Sequence, residues 1–394
     1  MPKNWKTYKF EELTTKLGDG LHGTPKYSLD GEYYFINGNN LTDGKIEIKP
    51  NTKRVNKNQF IKYQKPLNDR TIFVSINGTL GNVATYNNEK VVLGKSACYF
   101  NVREDVHKEF IKQYVSTSDF KRFLENNATG SVIKNVSLKS MRDHEINLPP
   151  LPEQKAIANI LSAIDDKIEN NRAINKTLED MAMALYKHWF VDFGPFQDGE
   201  FIDSELGLIP EGWEVKRLDE LANFKNGKGI KRSDRTEDGL YTIFGSNGFI
   251  GRTNKVMFKD YVIAIGRVGA NYGEIHYSTE PCWISDNAIT VQPKVKKCFW
   301  WLLQTLRLID YSNFAGGSAQ PLITQGAVKD FIVSVPREKE LLDFSLKLKQ
   351  LFDNLNSNLK ENQSLIKLRD TLLPKLISGE IRLKKFRAQV ENLV

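Results

Sequence analysis

Residues 94–96 read Gly-Lys-Ser, the tripeptide that in a phosphate-binding loop brings a lysine to the phosphates and a hydroxyl to magnesium. That loop also requires a glycine five residues before Gly94, and Glu89 stands there. The Pro149-Pro150 pair follows Leu148, where an amino-methyltransferase site demands an acidic residue or asparagine, so it reads as a helix-start signal. His276, Cys282 and Cys298 fit no zinc ribbon or finger spacing. Together with Cys98 the cysteines are odd in number and form no C-x-x-C pair, which argues against a disulfide framework. His22, His107, His144 and His188 are scattered, with no nucleophile or base partner in the sequence. No residue is assigned to catalysis or to a metal, and the chemistry that remains is recognition.

The chain repeats itself. Residues 5–13 (WKTYKFEEL) return as residues 213–221 (WEVKRLDEL), and Ile146, Leu148, Pro149 and Glu153 return 187 residues later as Val333, Val335, Pro336 and Glu340. Each second echo leads into a heptad seam. Ile157, Ile164, Asn171, Leu178 and Leu185 recur every seven residues, with Leu161, Ile168 and Asn175 four residues further on. The second seam is Phe344, Leu351, Asn358, Leu365 and Leu372, with Leu348, Leu355 and Asn362. Seams of about 29 to 37 residues imply helices roughly 45 to 55 Å long. Such apolar stripes need a partner: either each helix packs on its own globular part, or the two pair antiparallel. In the paired arrangement Asn171 and Asn358, at the seam centres, come opposite each other, and with Asn175 and Asn362 they set the register. Pro149, Pro150 and Pro152 start the first helix, and Gly194 and Pro195 end it; Pro374 and Gly379 close the second.

Between the seams the pattern is strand-rich and mixed. Residues 33–40 (YYFINGNN), 71–76 (TIFVSI) and 91–102 carry strand runs in the first half, followed by helix near 109–125. Residues 241–248 (YTIFGSNG), 261–265 (YVIAI) and 288–292 do so in the second, followed by helix at 298–309. The order of elements is the same. With 394 residues there is room for two or three domains, and a net charge of +8 with a pI near 9.0 favours a polyanionic partner. No run of 18 apolar residues occurs and residues 1–13 hold no apolar leader segment, so no membrane partner and a cytoplasmic location are expected.

Residues 148–171 (LPPLPEQKAIANILSAIDDKIENN), continued by 178–193, resemble the central helical region of specificity subunits of type I restriction-modification enzymes. Residues 368–383 (LRDTLLPKLISGEIRL) resemble the second helical region of that family, and the FINGNN and FGSNG segments resemble pieces of its target-recognition domains. The resemblance covers essentially the whole chain and implies an α+β fold. Two mixed, strand-rich target-recognition domains would be joined by two long helices paired as an antiparallel coiled coil, as a pseudo-twofold internal repeat. The implied domains are 1–148, a central spacer 149–193, 194–336 with a connector at 194–212, and a C-terminal spacer and tail at 337–394. By the same resemblance the chain is non-catalytic, each globular domain reads one half of a bipartite double-stranded DNA site, and the helices set the gap. The partners implied are two methyltransferase subunits and ATP-dependent translocating restriction subunits. S-adenosylmethionine, ATP and magnesium would sit on those partners, with no cofactor on this chain. The two globular parts differ outside the anchors, so each reads a different half-site.

Guanine is read by Arg and Lys, adenine by Asn and Gln, and phosphates by Lys, Arg, hydroxyls and backbone amides. Gly-containing loops with those residues supply the candidates. In the first half they are Lys26, Tyr27, Asn39, Asn40, Asn77, Thr79, Lys95, Lys134 and Asn135. In the second they are Lys228, Lys231, Arg232, Ser246, Asn247, Arg267, Asn271, Tyr272 and Gln320. The Asn-Gly pairs at 37–38, 77–78 and 247–248 are also ordinary turn formers. A self-sufficient enzyme would need a cofactor motif that the sequence lacks, and a purely structural helical protein would show no salt-dependent affinity for duplex.

Overall fold

The computed structural model describes residues 2–314, 316 and 322–382. The chain divides into two compact units, Met1–Asn170 with Glu361–Val394, and Asn171–Lys360. Each unit therefore takes one segment from each of two 40-residue helices, Leu151–Phe190 and Glu338–Ile377.

In the first unit a four-stranded antiparallel sheet runs in the order Thr14–Asp19, Ala97–Val102, Thr71–Ser75, Val83–Thr85. Every residue of Thr71–Ser75 and Ala97–Val102 is buried, as apolar runs covered on both faces require. Beside it Tyr33–Ile36 lies between Arg54–Val55 and Val91–Leu93, parallel to the latter. Helices Lys108–Val115 and Ser118–Asn127 pack on the core, the second capped by the Thr117 hydroxyl accepting from the Phe120 amide at 3.2 Å. One apolar cluster gathers Phe10, Phe100 and Phe120 with Ile157, Leu161, Ile164 and Ile168 of the first long helix and Leu372, Leu373, Leu376 and Ile377 of the second.

The second unit repeats this plan. Its sheet order is Ala222–Asn226, Ala288–Pro293, Val262–Gly266, Ile275–Ser278, and Tyr241–Gly245 runs parallel to Cys282–Ile284 with Gly248–Thr253 on its other side. Helix Phe299–Leu308 is buried along most of its length, and Trp300 stacks on Phe352 at 4.2 Å between ring centres.

Both sequence echoes belong to one structural device. Lys6–Lys9 pairs antiparallel with Glu145–Leu148, and Glu214–Arg217 pairs the same way with Ile332–Val335. The first and last strands of each globular part thus clasp at the point where the chain enters a long helix. Trp5 and Trp213, just ahead of the clasp strands, are both 3% exposed. The Trp5 indole N–H donates to Glu153 at 3.2 Å, and Arg382 forms an ion pair with the same carboxylate at 3.1 Å.

Within each unit the helix segments run antiparallel against each other. In the first, Asn362 donates to the Ile168 carbonyl at 3.4 Å and Arg369 pairs with Asp165 at 3.2 Å. In the second, Asn358 donates to Asn175 Oδ1 at 2.9 Å while Asn175 donates to the Leu355 carbonyl at 3.3 Å. Asn358 thus meets Asn175, and the seam-centre Asn171, four residues earlier, is fully buried. One local expectation changes. Pro374 does not end the second helix, which continues to Ile377 and closes at Gly379 with φ +75°. The connector holds a hairpin of Phe201–Ser204 with Gly207–Pro210, with Gly207 at φ +89° and the Ser204 hydroxyl donating to its carbonyl.

Candidate nucleic-acid interface

The strand registers superimpose the two halves residue by residue. Cys98 opposite Val74 corresponds to Ile289 opposite Ile265, so Asn77 and Gly78 correspond to Val268 and Gly269. Asp19 opposite Cys98 corresponds to Asn226 opposite Ile289, so Leu21 corresponds to Lys228. The parallel pairs set Ile36 over Phe244, hence Asn39 over Asn247.

In the first unit the loops after these strands are tied into one cluster. The Leu21 amide donates to the Leu93 carbonyl at 2.7 Å, and the Lys95 amide returns to the Leu21 carbonyl at 3.1 Å. The Ser96 hydroxyl accepts from the Gly38 amide at 2.8 Å and donates to Asn37 Oδ1 at 2.9 Å. The Gly-Lys-Ser tripeptide therefore belongs to a strand-to-strand turn between Val91–Leu93 and Ala97–Val102, with no helix after it to hold a phosphate. Asn77, Lys95 and Asn135 line one hollow of about 380 Å³, which also takes in Asp19, His22 and Ser137, three residues absent from the sequence selection. The signal for His22 and Asp19 is their three-residue spacing at a strand end, where the imidazole meets the carboxylate. Lys134 and Thr79 are exposed, and the Lys134 carbonyl accepts from the Gly78 amide at 2.9 Å.

Other candidates are placed elsewhere. The Lys26 amide donates to Gln59 at 2.9 Å, and Tyr27 bridges Val55 with its ring 6.0 Å from Phe35, so both belong to the flank of the three-stranded sheet. Asn39 is exposed. Asn40 is 5% exposed, and its amide accepts from the Asn37 N–H and donates to the Glu47 carbonyl and the Thr52 hydroxyl.

In the second unit the corresponding cluster joins Lys228, Asn247 and Arg267. The Lys228 amide donates to the Ile284 carbonyl and the Arg267 amide to the Asn287 carbonyl, each at 3.0 Å. The Ser246 hydroxyl sits 3.0 Å from both the Val268 and Asn287 carbonyls and accepts from the Val268 amide. Lys231 and Arg232 are exposed on the short turn that follows. Asn271 folds back so that its carbonyl accepts from Glu274. Tyr272 lines a separate hollow of about 740 Å³ with Glu179, His276, Arg307 and Asp310. Gln320 lies outside the described residues, as does the basic tail with Lys384, Lys385 and Arg387.

The electrostatics suit an anionic partner. Lys26, Lys95, Lys134, Lys228, Lys231 and Arg232 are exposed, and none forms an ion pair among the described residues. Their charge is therefore available to phosphate. Burial pushes the His276 imidazole down and the Cys282 thiol up to about 11, so neither carries charge near neutrality. Among the described residues no three His, Cys, Asp or Glu side chains gather as a metal site would require, and no helix is long and apolar enough to cross a membrane.

A family model described as the type I restriction modification DNA specificity domain matches residues 2–180 and again 210–365. The MjaIX type I specificity subunit of Methanocaldococcus jannaschii is 26% identical over 98% of this chain and 95% of its own length. The HindI specificity subunit of Haemophilus influenzae is 22% identical over 67% of this chain and 75% of its own. The crystal structure of a type I restriction-modification S subunit from M. genitalium superimposes with a TM-score of 0.59 at 21% identity, covering 95% of this chain and 96% of that one.

Proposed function

The chain belongs to the type I restriction modification DNA specificity family, matched on both halves, and from that premise we propose that each unit reads one half of a split duplex target. DNA sequence recognition is the work of such a subunit. The observation that carries the two-part reading is the repeated loop cluster: one framework, built twice, presents exposed lysines and Arg232, without ion pairs among the described residues, around tips whose residues differ. The phosphate contacts fall to Lys95, Lys134, Lys228, Lys231 and Arg232, and Asn39, Asn77, Asn135, Asn247 and Arg267 are the base-edge candidates. The two long helices set the gap between half-sites, with Asn171, Asn175, Asn358 and Asn362 holding their register, and with their flanks they dock two methyltransferase subunits.

The chain itself performs no bond chemistry in this reading. S-adenosylmethionine, ATP and magnesium belong to the methyltransferase and restriction-translocase partners. The complex works in the cytoplasm, on double-stranded DNA. The four-part division at 1–148, 149–193, 194–336 and 337–394 follows the same logic: two readers and two spacer segments.

The test is adenine-methylation mapping of DNA from a host expressing this chain with its neighbouring methyltransferase, beside a host expressing the methyltransferase alone. A split motif that appears only with the chain is expected and yields both half-sites and the gap. Identical methylation in the two hosts sinks the reading. Binding of the assembled complex to duplex should also weaken steeply as salt rises, because each neutralised phosphate releases counterions.

A further inference from the structure

The two-part reading above does not by itself say which side chains choose a base, and the inference drawn here rests on it. In the first unit a short hairpin, Ala128–Thr129 with Asn135–Val136, is seated on the end of the central strand. The Val136 amide donates to the Ile76 carbonyl and the Gly78 amide to the Lys134 carbonyl, both at 2.9 Å. Between these two bonds Asn77 Nδ2 donates to Asn135 Oδ1 at 3.1 Å. A bonded pair of side-chain amides consumes one N–H and one oxygen, whichever way each amide is turned. It leaves one untouched oxygen and three N–H donors over, here shared between an exposed Asn135 and a half-buried Asn77 at the rim of the 380 Å³ hollow.

Past this seat, residues 130–134 project with no core to fill. Val132 is 92% exposed and Ile133 61%. Gly130 sits at φ +97°, where an added Cβ would lie 2.4 Å from the Ile133 carbonyl oxygen, so the turn is built for glycine. Lys134 beside them is exposed and unpaired among the described residues.

The second half builds the same seat with different residues on it. The Ile323 amide donates to the Arg267 carbonyl at 2.9 Å, matching Val136 on Ile76. Val268 bridges Leu322, matching Asn77 with Asn135, and Gly269 (φ +74°) matches Gly78 (φ +75°). In sequence Ala128, Gly130 and Ser131 recur 187 residues later as Ala315, Gly317 and Ser318, whereas Ile133 is answered by Gln320. The framework repeats and the amide pair does not.

We infer that Asn77 and Asn135 act together as one composite amide that reads an adenine in the major groove. The untouched oxygen accepts from the adenine N6 amino group and one of the free N–H groups donates to N7, the pattern a single asparagine offers that base. Val132 and Ile133 pack against the methyl group of a thymine in the same stretch. Val268 and Leu322 offer no polar edge at the corresponding place, so the second unit reads a different base there.

The experiment is methylation mapping of the full chain with its methyltransferase, as wild type, Asn77→Ala, Asn135→Ala and the graft Val268→Asn with Leu322→Asn. Each alanine variant is expected to relax one A·T position in one half-site, by roughly tenfold to a hundredfold in discrimination, and to leave the gap and the other half-site intact. The graft is expected to change a base only in the other half-site. Where a variant abolishes methylation, competition of the assembled complex among duplexes altered at each motif position reads the same discrimination. Unchanged motifs in both alanine variants overturn the inference, as does relaxation at a G·C position or an equal loss of affinity for every duplex. A wild-type chain that yields no split motif removes the two-part reading, and the composite amide with it.

Discussion

The asparagines of this chain show how one side chain serves opposite ends. Asn40 closes a turn with both of its side-chain N–H donors engaged inside the fold, whereas Asn135 keeps a donor at the surface. Asn175 and Asn358 form a third case, an amide contact between helix segments inside the second unit. Replacing Asn358 with Leu leaves Asn175 Oδ1 in a largely buried setting without that donor, which costs about 1–3 kcal/mol. Replacing both with Leu is expected to recover most of the loss, because two apolar side chains suit the seam better than two amides. Urea unfolding of the two single variants and the double variant forms the cycle; additive losses would sink the pairing. Residue type alone does not separate these three roles, because Asn favours turns, adenine edges and helix register alike. The loop residues chosen from the sequence therefore fall into two kinds: Asn40 and Ser246 are engaged within the fold, while Asn39 and Asn135 stand exposed.

Among the elements, the clasp strands were the most legible. The echo of residues 5–13 in 213–221 and of residues 146–149 in 333–336 is the signature of strand pairs that each globular part must close in the same way. The heptads gave both long helices for a similar reason, since a repeating stripe is a property of local spacing. The connector hairpin was hidden because short strands with polar faces leave little periodicity. The first clasp also carries a titration. His144, whose carbonyl accepts from Phe10, lies against the Phe123 ring at 3.9 Å between centres and shares a 2.8 Å hydrogen bond with the Tyr114 hydroxyl. Burial lowers its pKa from 6.5 to about 4, so it stays neutral in the fold. The unfolded chain takes up the proton first. Stability therefore begins to fall as pH drops through 6.5, keeps falling towards 4, and then levels, for a loss on the order of 3 kcal/mol. Chemical denaturation at a series of pH values should show that slope in the wild type and a flatter one in His144→Gln. A first unit that gains stability on acidification over this window would refute the assignment.

For the molecule as a whole, the telling fact is that the first unit is discontinuous in sequence. Its apolar cluster needs Leu372, Leu373, Leu376 and Ile377, while residues 171–360 form the other unit without interruption. A chain stopped after Lys360 is expected to keep hydrogen-exchange protection in Val262–Gly266 and to lose it in Thr71–Ser75. Equal protection of the two strands would contradict the division. None of this was visible in the composition or the charge; it follows from the antiparallel course of the helix segments, which brings distant stretches of sequence into one core.

That discontinuity sets an order of events on the ribosome. The unit whose synthesis begins first is the last to be completed, since its closing helix segment emerges some 190 residues after Asn170. At typical elongation rates of about 5–20 residues per second the wait is roughly 10–40 s. Over that interval Ile157, Leu161, Ile164 and Ile168 lack the residues that cover them in the finished protein. The nascent chain thus carries an open apolar seam while its second half folds as an uninterrupted piece, and a translational pause before residue 361 would prolong the state in which chaperone capture or aggregation begins.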